Sequence, residues 1–341
     1  MKAIAYMQYG SPDVLTFQET EKPTPKENEV LVKVHAAAIN KGNLVILEGK
    51  PYLARLMAGG LFRPKRNILG NDIAGQVVAV GKNVQQFQPG DAVFGESGFG
   101  GFAEYVCAPE TTLVLKPANI TFAQAAAVPL AAVTALRGIR AKNGLQPGQK
   151  VLINGASGGV GTFAILIAKA VGAEVTAVCS TGKIEMVRAI GADHAIDYTK
   201  EDSTKNGQKY DLIIGVNGYR SLSDYKRALT SDGTYVCTGG EMAQVFQSML
   251  LGPFISKVSS QKIINIGVVK SSPEELAFIR ELLETGKIVP VIDRCYPLNE
   301  VPTAFRYLEK EHAKGKIVIT VADNMNINNR RVENESKQLT Y

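Results

Sequence analysis

Nothing in this sequence pairs its cysteines. Cys107, Cys179, Cys237 and Cys295 are scattered through 341 residues without a CxxC. That spacing argues against a disulfide framework and for a reducing, cytoplasmic setting, with each thiol a free core residue. Long apolar runs are missing too. No stretch of about 18 apolar residues occurs, so no membrane span is expected. The opening, MKAIAYMQYGSPDVL, lacks the apolar centre of a signal peptide. The formal net charge of +6 comes without a long basic block or an RNP-like aromatic motif. Nucleic acid is therefore not an expected partner. The excess of cations is read as a solubility feature, with a local positive site for a phosphorylated cofactor added to it.

What is present describes a soluble globular protein. Hydrophobic residues make up 45% and charged residues 21%, which supplies a full core. The length suits two domains or one large one. Up to about residue 120 the chain reads as strands and turns. EVLVKVHAAAI alternates like a half-buried strand, and Pro89-Gly90-Asp91 closes a loop between two more. TFAQAAAVPLAAVTALRGIRAKNG is alanine-rich and helical, with Thr121 as N-cap. Strands and helices then alternate: VLIN before a helix over 159–171, EVTAVC before 183–190, and HAIDY and DLIIGV before 221–229. Such alternation predicts a parallel sheet covered by helices on both faces. A further helix (SPEELAFIRELLETG), a strand pattern (IVPVIDRCYPL), another helix and a last strand (GKIVITV) follow. From Asp323 the tail is polar and is expected to be mobile or an oligomer arm.

The strand VLIN runs straight into GASGGVG and an apolar helix. Against the pattern GxGxxG, the loop offers Ala156, Gly158 and Gly161, with alanine in the first glycine's place. Gly158 and Gly159 let a backbone approach a pyrophosphate; Gly161 lets the helix pack closely on its strand. The helix N-terminus adds free N–H groups and partial positive charge. Ala156, Ser157, Gly158, Gly159 and Val160 are thus the expected phosphate cradle. No Gly-Lys-Ser/Thr follows, which argues against a Walker loop. The next strand ends AVCSTGK. An NAD site usually ends it with a carboxylate for the adenosine ribose. Cys179, Ser180 and Thr181 supply none, and Lys183 is positioned to pair a 2′-phosphate. The expected cofactor is NADP(H) rather than NAD(H), held here by Ser180, Thr181 and Lys183. The alternative for Lys183 is a solvated lysine at a helix start.

These motifs resemble the medium-chain dehydrogenase/reductase superfamily, in its zinc-independent quinone oxidoreductase branch. The carriers run in order from residue 1 to about 321: VKVHAAAIN, LGNDIAGQVVAVGKNVQQFQPGDAVFG, GGFAEYV, AAAVPLAAVTAL, the glycine loop, GADHAIDY, DGTYVCTGG and GKIV. The resemblance implies an α/β protein of two domains. A GroES-like β-rich catalytic domain takes residues 1–120 and 269–341. A Rossmann domain with a doubly wound parallel sheet takes 121–268, and the active site lies in the cleft between them. It also implies a homodimer. Zinc relatives carry cysteine where this chain has Asn40, and Gly-His-Glu where it has Gly70-Asn71-Asp72. Their third ligand position falls near Ala131–Ala132. His35 sits in a strand pattern, and His194 and His312 read as loop or helix-end residues. No metal is expected. Without that Lewis acid, an already electrophilic acceptor suits hydride transfer better than an alcohol does.

By the same resemblance, Asn40 lines the substrate cleft and donates to a carbonyl oxygen gaining charge. Otherwise it closes a strand-end turn. Thr134 lies near the nicotinamide, or else bonds back to its own helix turn. Tyr198 sits beside the adenosine ribose phosphate, or is an ordinary surface aromatic. Gly239 and Gly240 form a turn beneath the cofactor, and the backbone of 266–268 meets the carboxamide. Relatives often carry a tyrosine about five residues beyond the Asn40 position; this chain has Val45. Tyr52, Lys41 or a bound water is left as proton source. Arg55, Arg63, Lys65 and Arg66 stand in a lengthened loop, either solvated or rimming the site for an anionic or bulky substrate. The implied activity is NADPH-dependent reduction of quinones or α,β-unsaturated carbonyls, a small-molecule substrate in either case. The alternatives are an enoyl-thioester reductase and a non-catalytic NADPH-binding sensor or adaptor.

Overall fold

The computed structural model describes residues 1–310 and 313–321. His312 and the polar tail from Asp323 lie outside the described residues. The first part of the chain carries β1 (Lys2–Ala5), β2 (Thr16–Glu19), β3 (Glu29–Ile39), α1 (Lys41–Glu48), β4 (Asp72–Val80), β5 (Ala92–Glu96), β6 (Tyr105–Pro109) and β7 (Leu113–Leu115). Next come α2 (Phe122–Ala126) and α3 (Pro129–Arg140). They lead into β8 (Lys150–Asn154), α4 (Gly159–Val171), β9 (Glu174–Cys179), α5 (Ile184–Ala189), β10 (His194–Asp197) and β11 (Tyr210–Gly215). Then follow α6 (Leu222–Ala228), β12 (Leu229–Cys237), α7 (Met242–Val258) and β13 (Lys262–Asn265). The chain returns through α8 (Pro273–Glu284), β14 (Ile292–Pro297), α9 (Val301–Glu309) and β15 (Lys316–Thr320).

Beside a two-stranded antiparallel sheet of β1 and β2, two larger sheets organise these elements. One is parallel throughout, in the order β10-β9-β8-β11-β12-β13. That is the doubly wound order, with its reversal point between β8 and β11. The glycine loop leaves β8 at this point. The other sheet runs β14-β15-β3-β4-β5-β7, with β6 also on β3. The expected α/β class with a GroES-like part and a Rossmann part is what the chain adopts. β15 returns from the C-terminal end to pair antiparallel with β3, Ile317 opposite Ile39. Ala38 lies opposite Asp72, and Asp72 opposite Glu96. The register therefore brings the end of β3, the starts of β4 and β15 and the end of β5 to one rim.

The helix over 159–171 is observed at those residues. The alanine-rich segment is broken in two. Thr121 caps α2 as read, its side chain accepting from Gln124 N–H, but Pro129 starts a new helix as its first residue. His194 opens β10 rather than sitting in a loop. α7 has no counterpart in the sequence reading, because its pattern is inverted. Small and polar Gln244, Ser248 and Gly252 are buried at four-residue spacing. Phe246, Met249, Leu250, Leu251 and Phe254 are exposed. A Cβ on Gly252 would lie 3.0 Å from the Ile263 carbonyl oxygen, so the helix rides directly on β13. Ile279, Leu282 and Leu283 of α8 join one core cluster with α3, α4 and the parallel sheet.

Candidate active site

The loop after β8 is shaped by close backbone contacts. Gly155 adopts φ +86°, turning the chain out of the strand. Ala156 is fully buried and donates its N–H to the Val178 carbonyl at 3.0 Å. Gly158 is the N-cap of α4. A Cβ on Gly161 would stand 2.3 Å from the Gly155 oxygen, so only glycine lets the helix sit this close. A Cβ on Gly158 would meet nothing nearer than 3.9 Å. Space is thus open at Gly158, the N-cap of a thirteen-residue helix, and a helix N-terminus suits a phosphate. Val160 packs on the core behind the loop. Ser157 turns the other way: its carbonyl accepts the Gly315 N–H at 2.9 Å and ties the loop to the start of β15.

At the end of β9, Ser180 stands at the start of a 3-10 turn over Thr181–Lys183, its carbonyl accepting the Lys183 N–H at 2.9 Å. Thr181 Oγ1 donates to Asp197 at 2.5 Å, and Thr199 Oγ1 donates to its other oxygen at 2.7 Å. These hydroxyls push the Asp197 carboxyl down to about 2. Lys200 stands 3.6 Å away. A carboxylate thus does border this end of the sheet, on the neighbouring strand, where a reading along β9 alone does not find it. Its oxygens are engaged by hydroxyls. Lys183 is half-buried in the same turn; Tyr198 is exposed and donates its N–H to the Cys179 carbonyl at 3.2 Å. After β12, Gly240 takes φ +108° and a Cβ on Gly239 would lie 3.1 Å from the Val216 oxygen. Ile266 donates its N–H to the Cys237 carbonyl and packs against the cluster of Val133, Val269 and Leu276, whereas Val268 is exposed.

The rim where both sheets meet holds a polar network. Lys316 is 3% exposed and Asp72 is fully buried, with Nζ and Oδ2 3.5 Å apart. Lys316 Nζ donates to Asn40 Oδ1 at 2.5 Å and to the Ile39 carbonyl at 3.3 Å. Asn40 Nδ2 donates to Asp72 at 2.9 Å and to Asn71 Oδ1 at 3.3 Å. Asn71 Nδ2 and the Leu130 N–H complete the donors on Asp72, at 2.8 and 3.3 Å. Burial raises the Asp72 carboxyl, opposed by the Lys316 charge and the donated hydrogen bonds. Burial likewise lowers the Lys316 ammonium, opposed by Asp72. A lone charge at either position would be strongly disfavoured; each makes the other tolerable. Glu96 continues the row. Ser271 Oγ donates to it at 2.5 Å. Burial, and then the Asp72 charge, push its carboxyl up to about 7.

The structure thus brings Asn40 together with Asn71, Asp72 and Lys316, and seats the Lys316 stem over the glycine loop. A Cβ on Gly159 would collide with its Cδ at 2.7 Å. Both amide hydrogens of Asn40 are engaged here. Thr134 is nearly buried and its hydroxyl donates to Leu130 O at 2.7 Å, one helix turn back. Val45 is half-buried on α1. Tyr52 is exposed beneath the Arg55 guanidinium. Sequence reasoning assigned no role to Lys316, Glu96 or Ser271. Asn40 and Lys316 are 276 residues apart, so no local pattern links them; the only local signal was the GKIV landmark itself.

A doubly wound parallel sheet joined to a GroES-like sheet, with a glycine loop at the reversal point, is the architecture of a nucleotide-binding domain paired with a GroES-like domain. Comparisons narrow this. Residues 26–118 match the alcohol dehydrogenase GroES-like domain and 190–319 the zinc-binding dehydrogenase family. A tomato (Solanum lycopersicum) 2-methylene-furan-3-one reductase is 37% identical over 333 residues, covering 94% of this chain and 79% of that protein. An NADPH-dependent alkenal/one oxidoreductase of Arabidopsis thaliana is 36% identical over 335 residues, with the same coverages. The solved quinone oxidoreductase of Coxiella burnetii superposes with a TM-score of 0.81 at 29% identity, over 94% of this chain and 99% of that one. The chain belongs to the medium-chain dehydrogenase/reductase superfamily, in its quinone oxidoreductase-like part, and is an oxidoreductase that uses NADP(H). The zinc implied by one family description does not fit the residues present. Asn40, Asn71 and Asp72 are committed to one another and to an ammonium group, with no thiolate or imidazole among them.

Proposed function

We propose that this protein is a zinc-independent, NADPH-dependent reductase of quinones and α,β-unsaturated carbonyls. The observation that carries the reading is the Asn40–Asp72–Lys316 network at the rim shared with the glycine loop. NADPH, when bound, supplies the hydride. Ala156, Ser157, Gly158, Gly159 and Val160 hold its pyrophosphate, Ser180, Thr181, Lys183 and Tyr198 its adenosine phosphate, and Gly239 and Gly240 its underside. Asn40 donates to the acceptor's carbonyl oxygen through the hydrogen now shared with Asn71 at 3.3 Å, the longer of its two bonds. Lys316 on Asn40 Oδ1 fixes the amide's orientation and polarises it as a donor. Thr134 borders the nicotinamide from α3. The GroES-like part ends near residue 120 and resumes after 268, with α8 packed against the Rossmann core. A homodimer forms over α7 and the edge strand β13, in a reducing cytoplasmic setting; the apolar exposed face of α7 supports the former.

The test is NADPH consumption with a panel of quinones, small enals and enoyl-thioesters, each with and without a chelator. Turnover of quinones or enals unaffected by chelation is expected. Turnover confined to enoyl-thioesters would transfer the assignment to that reaction. NADPH binding with no acceptor turned over would leave a binding protein.

A further inference from the structure

A second surface carries an inversion like that of α7. Residues 51–63 form a compact lobe after α1. Its small residues, Ala54 and Ala58, are buried, while Tyr52, Leu53, Leu56, Met57, Leu61 and Phe62 are exposed, Phe62 at 89%. The exposure is built, not accidental. Arg55 lies over the rings of Tyr9 and Tyr52, donates to Gly49 O at 3.1 Å and to Leu61 O at 3.0 Å, and so staples the lobe from within. Tyr9 donates to the Gly60 carbonyl. The Lys65 and Arg66 N–H groups both donate to Ala58 O at 3.0 Å.

Charge along this stretch of chain has one sign. Between Glu48 and Asp72 stand Lys50, Arg55, Arg63, Lys65 and Arg66, and no carboxylate. Arg63, Lys65 and Arg66 are exposed. An ordered set of outward aromatic and leucine side chains with a cationic rim matches the boundary of an anionic lipid layer. The apolar groups enter the acyl edge and the cations meet the headgroups. A second copy is a poorer occupant. The other exposed apolar face, Met242–Val258, contains no carboxylate to answer these cations.

We propose that the 51–66 lobe docks this protein reversibly on an anionic membrane surface. The lobe follows α1, whose N-cap is Asn40, so one eight-residue helix, roughly 12 Å long, links Asn40 to the docking surface. The lobe needs no acceptor to bind lipid, so this stands apart from the reduction reading.

The experiment is flotation of the full chain with vesicles of phosphatidylglycerol and phosphatidylcholine, against phosphatidylcholine alone. Binding to the anionic vesicles, weakened by added salt, is expected. Arg63→Gln with Lys65→Gln and Arg66→Gln should lower partitioning about fivefold per cation, hence about a hundredfold. Leu53→Ser with Phe62→Ser, both at exposed positions, should lower it at least about tenfold. Lys22→Gln with Lys287→Gln and Lys310→Gln removes the same charge elsewhere and should leave most binding intact. Thermal melts confirm that each variant is folded. Absence of binding to anionic vesicles overturns the proposal, as does equal loss in the distant-lysine variant. A fall in oligomeric mass in Leu53→Ser with Phe62→Ser, with lipid binding unchanged, would make the lobe a contact between copies and also overturn it.

Discussion

The glycine loop and the Asp72–Lys316 rim meet at Gly159, yet they are built on opposite principles. The loop works by removing side chains. Its shape is enforced by a missing Cβ at Gly161, and the space at Gly158 stays open. The rim works by crowding side chains. Asn40, Asn71, Asp72 and Lys316 are tied to one another by hydrogen bonds and an ion pair. A backbone device tolerates change until a Cβ intrudes. A charged device fails as soon as one partner leaves.

The sharpest break of this contrast is Lys316→Met. It leaves Asp72 buried without its cation and should cost about 3–5 kcal/mol, read as a lower denaturation midpoint. Adding Asp72→Asn should recover part of the loss; a double variant no more stable than the single one would deny the ion pair its role. Gly161→Val attacks the other principle. With a Cβ 2.3 Å from Gly155 O, the loop must shift, at roughly 3 kcal/mol, and NADPH affinity should fall below detection. Retained NADPH binding by calorimetry would show the close approach to be dispensable.

Glu96 faces Asp72, Ser271 and the more distant Arg137, and its carboxyl is raised from 4.5 to about 7. The folded chain therefore keeps a proton that the unfolded chain releases. Its contribution to stability is complete below about pH 4.5 and is lost as pH rises through about 7. Glu96→Gln should gain about 1–2 kcal/mol over the parent at about pH 8 and little at about pH 4. Parallel melting curves at both pH values check this. Last, Lys183→Ala should lower NADPH affinity about tenfold with little change for NADH, the loss of one charge-assisted contact. An unaltered NADPH preference would remove Lys183 from the phosphate site.

Legibility followed the same division. The loop, its helix over 159–171 and the N-cap Thr121 were readable because each is encoded by neighbours in sequence. The parallel sheet was readable from alternation. The proline break between α2 and α3 was passed over because alanine pattern outweighed one Pro129. α7 escaped because its apolar residues face outward, and a pattern reading assumes that they face in. Asp197 escaped because it borders the end of β9 from the next strand. The rim was partly visible, as absent zinc ligands at Asn40 and Asn71, but what replaced them was not.

The sequence alone determined the local conformations: where a glycine permits a turn, where a cap starts a helix, and which strands alternate with helices. Those depend on contacts within a few residues. Only the tertiary structure decided that Lys316, near the end of the described chain, stands against Asp72 and Asn40. It also decided that Glu96 holds its proton to about neutral pH. Burial and charge pairing are properties of the space between elements. They arise when the register of β3, β4, β5 and β15 brings distant residues to one rim and takes water away from them.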